Sequence, residues 1–230
     1  MAAQADSLDA LAVDVTACRA CPRLVEHRER VARERRRAYR DQEYWGRPLM
    51  GFGDPAARLL LVGLAPAAHG GNRTGRMFTG DRSADFLVSA LWRAGFASQP
   101  ESRALDDGLR LRGAYVTAVV RCAPPENRPS AAETATCRAH LARELALLPE
   151  VGVVLALGRI AWDGYLAYRR TAGLPLPKAA FAHGREERLG PHGPTLLASY
   201  HPSQQNTQTG RLTETMMDAV LARARALALG

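Results

Sequence analysis

Lysine is almost absent from this 230-residue chain: Lys178 stands alone, in a proline-rich stretch. That scarcity weakens two kinds of chemistry. A nucleoside-triphosphate phosphate loop needs a Gly-Lys-Ser/Thr ending to reach the terminal phosphates and magnesium, and a Schiff-base enzyme needs an amine beside its substrate. Long apolar runs are missing as well. Nowhere do 18 consecutive apolar residues occur, so no membrane-crossing helix is expected. Residues 1–15 carry acidic side chains and no continuous apolar run, which resembles neither a signal peptide nor a membrane anchor. A soluble, cytoplasmic protein is the expectation. Cysteine is scarce too, with four in total. In a reducing compartment, four thiols point to metal ligation ahead of disulfides.

What is present suits one folded unit. A chain of this length, 47% hydrophobic, can bury a sizeable core without dividing, so residues 1–230 are read as a single domain and a monomer. Lys and Arg number 31 against 23 Asp and Glu, a formal charge of +8, which suits a polyanionic partner without requiring one. Arg33, Arg35, Arg36, Arg37 and Arg40 form the basic end of a predicted helix over 23–39. A solvated helix face and a nucleic-acid contact are both open for them.

Four β-rich apolar segments recur, at 58–64, 114–120, 151–157 and 195–200. Helical spacing appears at 7–17, 84–94, 131–148, 160–170 and 213–229. Strand and helix therefore alternate, as in an α/β fold whose parallel sheet is covered on both faces. Residues 184–193 read as a polar loop. Each strand is followed by unusual residues: a glycine-rich loop after the first, a cysteine and two prolines after the second, Gly158-Arg159 after the third, and His201-Pro202-Ser203 after the fourth. Ligands of open α/β sheets bind at the carboxyl ends of the strands, so these segments should converge on one cleft.

The cysteines group as Cys18 with Cys21 and Cys122 with Cys137. Two residues between the first pair let both thiolates face one metal centre from a tight turn. The wide second spacing suits a cluster whose thiolates come from separate segments, where a zinc ribbon prefers two close pairs. Spacing does not decide iron against zinc, and four unrelated buried thiols are the competing reading.

Three separated blocks carry a family resemblance. They are Gly-Leu-Ala-Pro-Ala-Ala-His-Gly-Gly-Asn-Arg-Thr-Gly-Arg-Met-Phe-Thr-Gly-Asp over 63–81, Arg-Cys-Ala-Pro-Pro-Glu-Asn over 121–127, and Tyr-His-Pro-Ser-Gln-Gln-Asn-Thr-Gln-Thr-Gly-Arg-Leu-Thr over 200–213. In order and placement they resemble the uracil-DNA glycosylase superfamily, and within it family 5, the B type. The resemblance runs from Cys18 to the final helix. It implies a three-layer α/β/α fold on a four-stranded parallel sheet, a 4Fe-4S cluster on the four cysteines, and a pocket for a base flipped out of DNA, since the glycosidic bond is out of reach inside the stack.

The same resemblance implies roles. Phe78 would stack on the base in a pocket that includes Gly63, Ala65 and Asn206. His201 would donate a hydrogen bond to the base carbonyl as negative charge develops there. Many superfamily members carry Asp or Asn where this sequence has Ala65, so the acid at Asp81 would orient water and stabilise the sugar cation, with Asn127 assisting. The departure at Ala65 also opens the pocket to hypoxanthine, xanthine and other deaminated bases. Residues 203–211 would enter the DNA, with Gln204 and Gln205 near the gap, and Arg73, Arg76 and Arg211 would meet phosphates. The implied partner is DNA containing uracil or another deaminated base, and the implied product is an abasic site, with no lyase step because no lysine falls in these loops.

Each role has a plainer competitor. Asp81 could cap the following helix. Phe78 could be a core aromatic and His201 a satisfied core histidine, Asn127 could serve only its turn, and each arginine could be a solvated surface charge. Two rival functions follow: a metal-stabilised module that binds damaged DNA without cleaving it, and a hydrolase of free nucleotides, which would want a carboxylate cluster for magnesium.

Overall fold

The computed structural model describes residues 6–229, so the expectation for residues 1–5 lies outside the described residues. Four strands, β2 (Leu59–Gly63), β3 (Ala114–Ala118), β4 (Val153–Leu157) and β6 (Thr195–Ser199), occupy the four expected segments. All four are parallel and paired in the order β3-β2-β4-β6. Every residue in them is buried, which a parallel sheet achieves only when both faces are covered. Side chains alternate between the faces. Leu59 and Leu61 meet Leu87 and Leu91 on one side together with Met217 and Leu221. Leu60 and Val62 meet Trp162 and Tyr165 on the other.

The helices making these layers are α4 (Arg82–Arg93) and α8 (Glu214–Leu229) on the first face. On the second lie α5 (Ala131–Ala146) and α6 (Arg159–Thr171). Two N-terminal helices, α1 (Leu8–Ala17) and α2 (Pro22–Glu34), precede the sheet, and α1 contacts α5. The expected α/β/α layering is therefore present. Among the described residues no helix is long and apolar enough to cross a membrane.

Three boundaries differ from the sequence reading. The sheet has six strands, because β1 (Phe52–Gly53) adds to β3 and β5 (Glu186–Arg188) to β6, both antiparallel. β5 sits in the stretch read as a polar loop; its Glu-Glu-Arg sequence has no apolar alternation to reveal a strand, and such charged residues keep a sheet edge from pairing further. The long basic helix ends at Glu34. Arg35 turns to φ 53°, and the Arg36 N–H donates to Tyr44 Oη at 3.3 Å, while residues 37–39 form a separate short turn. Five arginines in eight residues repel one another along a helix face. Finally, the stretch read as a loop at 203–211 contains a short helix, α7 (Gln204–Gln208), capped by Ser203 Oγ, which accepts the Asn206 N–H.

One polar cluster is sealed inside. Arg121 and Glu144 are each 1% exposed and form a two-pronged pair, with Nη2–Oε2 at 2.5 Å and Nη1–Oε1 at 3.2 Å. Tyr115 and Thr117 donate to the same carboxylate. Removing one partner of such a pair strands the other charge without water. Glu144→Ala is therefore expected to cost about 3–5 kcal/mol, read as a lowered urea midpoint at an unchanged slope. An unshifted midpoint would show that Arg121 finds another partner.

Candidate active site

Register decides where the motifs meet. Gly63 pairs with Ala118, Val62 with Ala156, and Leu157 with Ser199, so four parallel strands end together and their following segments leave from one edge. A short helix, α3 (Gly71–Thr74), stands inside the loop after β2 and closes on Gly75 at φ 84°.

That loop is held from within by its arginines. Arg76, 4% exposed, reaches Thr79 at 2.9 Å, Ser102 at 2.9 Å and Asp107 at 2.7 Å. Its guanidinium and three backbone N–H groups hold the Asp107 carboxyl well below the usual carboxylate range. Arg73 donates to the carbonyls of His69 and Gly80 and to Gln42, and its guanidinium lies 4.0 Å from the Tyr39 ring centre. Expected as phosphate contacts, both side chains are instead turned inward, where they meet loop carbonyls and the half-buried Asp107 carboxylate. Arg211 differs. It is exposed and lies over the Tyr200 ring at 4.8 Å.

Phe78 and Gly63 make a platform. Phe78 adopts φ 46°, a left-handed conformation costing roughly 1–3 kcal/mol in a non-glycine residue. Its ring then covers Gly63, where a Cβ would stand 2.9 Å from Cε2. The His201 ring is 6.2 Å from Phe78, tilted by 33°. Burial pushes the His201 imidazole down to about 4, so it is neutral at ordinary pH. Asn206 fixes its backbone, donating from Nδ2 to the His201 carbonyl at 2.8 Å. His201 and Asn206 line a concavity of about 320 Å³ with Tyr200, Arg159, Phe181 and Arg211. Ala65, half-buried, packs beside the β2 core and offers no polar atom.

Asp81 stands at the N-terminus of α4 and caps it, accepting the Ala84 N–H at 2.9 Å. Its other oxygen lies against Gly70, where a Cβ would be 1.9 Å from Oδ2. Burial raises its pKa against the pull of the Ala84 and Ser83 N–H groups. The carboxylate faces a second concavity of about 330 Å³, shared with Tyr39, Gln42, Arg82 and Arg103. Asp81 and His201 thus line different concavities. Asn127 is exposed at φ 55° after a turn over Pro125–Asn127, away from both concavities. Gln204 and Gln205 are exposed on α7.

Sequence reasoning missed two contributors. Gly70 had no motif to distinguish it within a glycine-rich loop, yet only a residue without Cβ lets Asp81 lie there. Phe181 carried no signal at all; it joins the His201 concavity by way of Trp162 and Tyr200, with ring centres at 6.1 and 6.2 Å.

The four thiols are brought together. Cys18 and Cys21 flank the α1–α2 turn, Cys122 follows β3, and Cys137 lies in α5. All four line one cavity of about 50 Å³, with Leu24, Val25 and Pro48. Among the described residues no three His, Cys, Asp or Glu side chains are placed to hold a single ion; the thiols surround a volume instead. Two sulfurs accept hydrogen bonds, Cys122 Sγ from Arg28 Nη1 at 3.0 Å and Cys137 Sγ from the Arg121 N–H at 3.3 Å, which suits thiolate acceptors. Burial pushes the Cys137 thiol up to about 11 and raises Cys21 and Cys122, so a bound cation would have to displace protons. Four cysteines around one cavity are a donor set that iron-sulfur clusters and zinc both use.

Comparison with known proteins identifies the relatives of this chain. The model of the uracil DNA glycosylase superfamily matches residues 50–225. A type-5 uracil-DNA glycosylase of Thermus thermophilus is 55% identical over 220 residues, covering 96% of this chain and 98% of that one. One of Mycobacterium tuberculosis is 51% identical, covering 99% and 84% respectively. A type-5 uracil-DNA glycosylase of Pyrobaculum aerophilum is 49% identical, over 91% of this chain and 88% of its own.

The His201 geometry yields a pH prediction. Its folded-state pKa, about 4, lies below the unfolded value of about 6.5. Stability from the neutral ring is thus fully present above about pH 6.5 and is lost as pH falls from there to about 4. An NMR titration, with the His201 signal assigned through His201→Gln, should show a midpoint far below that of an exposed histidine. A midpoint near 6.5 would mean that water solvates the ring.

Proposed function

The chain belongs to the uracil DNA glycosylase superfamily, and from that membership we propose that it removes uracil from DNA in the manner of the type-5 enzymes, hydrolysing the N-glycosidic bond and leaving an abasic site. The observation that carries the reading is Phe78, held in strained backbone over Gly63, beside a neutral His201 at the carboxyl edge of the sheet. A flipped base needs an aromatic face to stack on and a donor at its carbonyl, and these two side chains supply both.

The bond from sugar C1′ to base nitrogen breaks with its electron pair going to the base. Negative charge grows on the base carbonyl, where the His201 N–H meets it; a fixed neutral donor stabilises that charge without reorganising. Positive charge grows on the sugar. Asp81, capped onto α4 and lacking a paired cation, is the carboxylate assigned to stabilise it and to orient the water whose hydroxyl adds to C1′ and whose proton goes to the base. Asn127 is assigned to steady base or water once DNA covers its exposed turn. Gln204, Gln205 and Arg211 are exposed on and after α7, where entry into the duplex and phosphate contact would occur. Ala65 presents no polar group, which supports acceptance of hypoxanthine and xanthine as well as uracil.

The four thiols are assigned to hold a 4Fe-4S cluster, because they surround a volume and two of them already accept hydrogen bonds. Zinc is the alternative that metal analysis would decide. When bound, the group supplies a structural tie between the α1–α2 turn, the segment after β3, and α5.

A labelled duplex carrying one uracil tests the reading, with alkali added after incubation. Breaks that require alkali are expected, and none without it. Asp81→Asn should slow base release about 10²–10⁴-fold, and His201→Ala about 10²–10³-fold. The acid limb of the rate should fall at a higher pH than an exposed aspartate would give, since burial raises Asp81 and it must be ionised to act. Binding of the duplex without release of any base would overturn the assignment.

A further inference from the structure

Arg28 is a buried cation whose one carboxylate contact among the described residues is long and shared. It is 2% exposed on α2. Its nearest carboxylate, Glu29, is 3.8 Å away and is already held by Arg19 at 2.5 Å. Its Nε has no hydrogen-bond partner. What its guanidinium does meet is the Cys122 sulfur, at 3.0 Å, and the Cys18 carbonyl, at 3.3 Å. Burying a guanidinium with so little compensation is unfavourable, and negative charge on the sulfur facing it would relieve that cost. Arg121, the other arginine beside the thiols, is neutralised by Glu144 and contributes only its backbone N–H to Cys137. Four thiolates around iron and sulfide, or around zinc, leave a net negative centre, and Arg28, whose pairing with Glu29 is long and shared with Arg19, is a cation only partly compensated by carboxylate that the described residues place against a thiol sulfur.

We infer that Arg28 is the charge-compensating outer partner of the thiolate centre and the residue that joins it to the active-site loop. The second half rests on its backbone: the Arg28 carbonyl accepts the Asn72 Nδ2–H at 3.2 Å, and Asn72 is fully buried in α3. The Asn72 carbonyl accepts the Gly46 N–H, and that of Arg73 the Trp45 N–H. One residue thus touches Cys122 with its side chain and the loop leading to Phe78 and Asp81 with its main chain. The inference rests on the thiolate centre assigned above and adds the group that makes its charge tolerable in a dry interior.

The test compares the purified parent with Arg28→Lys and Arg28→Gln by three readouts: metal per chain, the rate of metal loss to a chelator, and, where iron is present, the reduction potential. Arg28→Gln should lose metal about 10-fold faster or more, in the range found for outer partners of metal sites. Its potential should move to more negative values, because a centre without its neighbouring cation accepts an electron less readily. Arg28→Lys, which keeps the charge, should stay close to the parent on both. Parent-like rates and potentials in both variants would overturn the inference. So would equal metal loss in Lys and Gln, which would assign the effect to guanidinium shape and not to charge. A parent that carries zinc sinks the iron-sulfur reading while the chelator rates still decide the part of Arg28; a parent that binds no metal sinks both.

Discussion

The in-register ending of β2, β3, β4 and β6 is the constraint from which the site follows. Parallel strands need long crossovers, so each of the four feeds a segment that starts at the same edge of the sheet. Gly63, Ala118, Leu157 and Ser199 stand at that edge, and Phe78, Cys122, Arg159 and His201 all belong to the chain that leaves it. Because every strand residue is buried, shifting one strand by a residue would turn its apolar set to the wrong layer. The geometry of the cleft is therefore protected by the core and not by the loops.

Against that rigid frame, the loop after β2 is shaped by donors. Arg73 and Arg76 engage carbonyls, a glutamine, a serine, a threonine and Asp107, and the loop tolerates a left-handed Phe78 because these bonds over-determine its backbone. Strain of this kind persists where the surroundings hold it and is concentrated at functional sites. Asp81 shows a similar economy. One oxygen caps α4 while the other lies on Gly70, so a single carboxylate fixes a helix start and faces a concavity. Capping and catalysis, which read as competitors from sequence, are compatible in the fold.

The thiol site ties the opposite end of the chain to this frame. Cys18 and Cys21 flank the turn between α1 and α2, which reach the second core layer through Leu8 and Leu24, whereas Cys122 and Cys137 belong to β3's exit and to α5 in that same layer. The proposed metal centre would bridge them and fasten α1 and α2 onto the domain, and the Arg28 and Asn72 hydrogen bonds would carry that fastening to α3. A site without an evident redox partner can thus matter for catalysis by placing a loop.

Much of this was legible in the sequence. Continuous apolar runs of strand length, separated by stretches of near-helical period, pointed to the parallel core, because strands buried on both faces carry no polar alternation. The three motif blocks named the family, since residues that must contact a flipped base come at fixed places after fixed strands. Tertiary structure alone decided which way polar side chains turn. Arg73 and Arg76 look like phosphate ligands in a glycine-rich loop, and only the positions of Gln42, Ser102 and Asp107, far along the chain, draw them inward. β5 was hidden because an edge strand of Glu and Arg has no apolar face to show. The neutrality of His201, the need for glycine at position 70, and the burial of Arg28 against a thiol sulfur depend on what is packed around them. Local sequence encodes period and motif; burial and long-range pairing are properties of the folded chain.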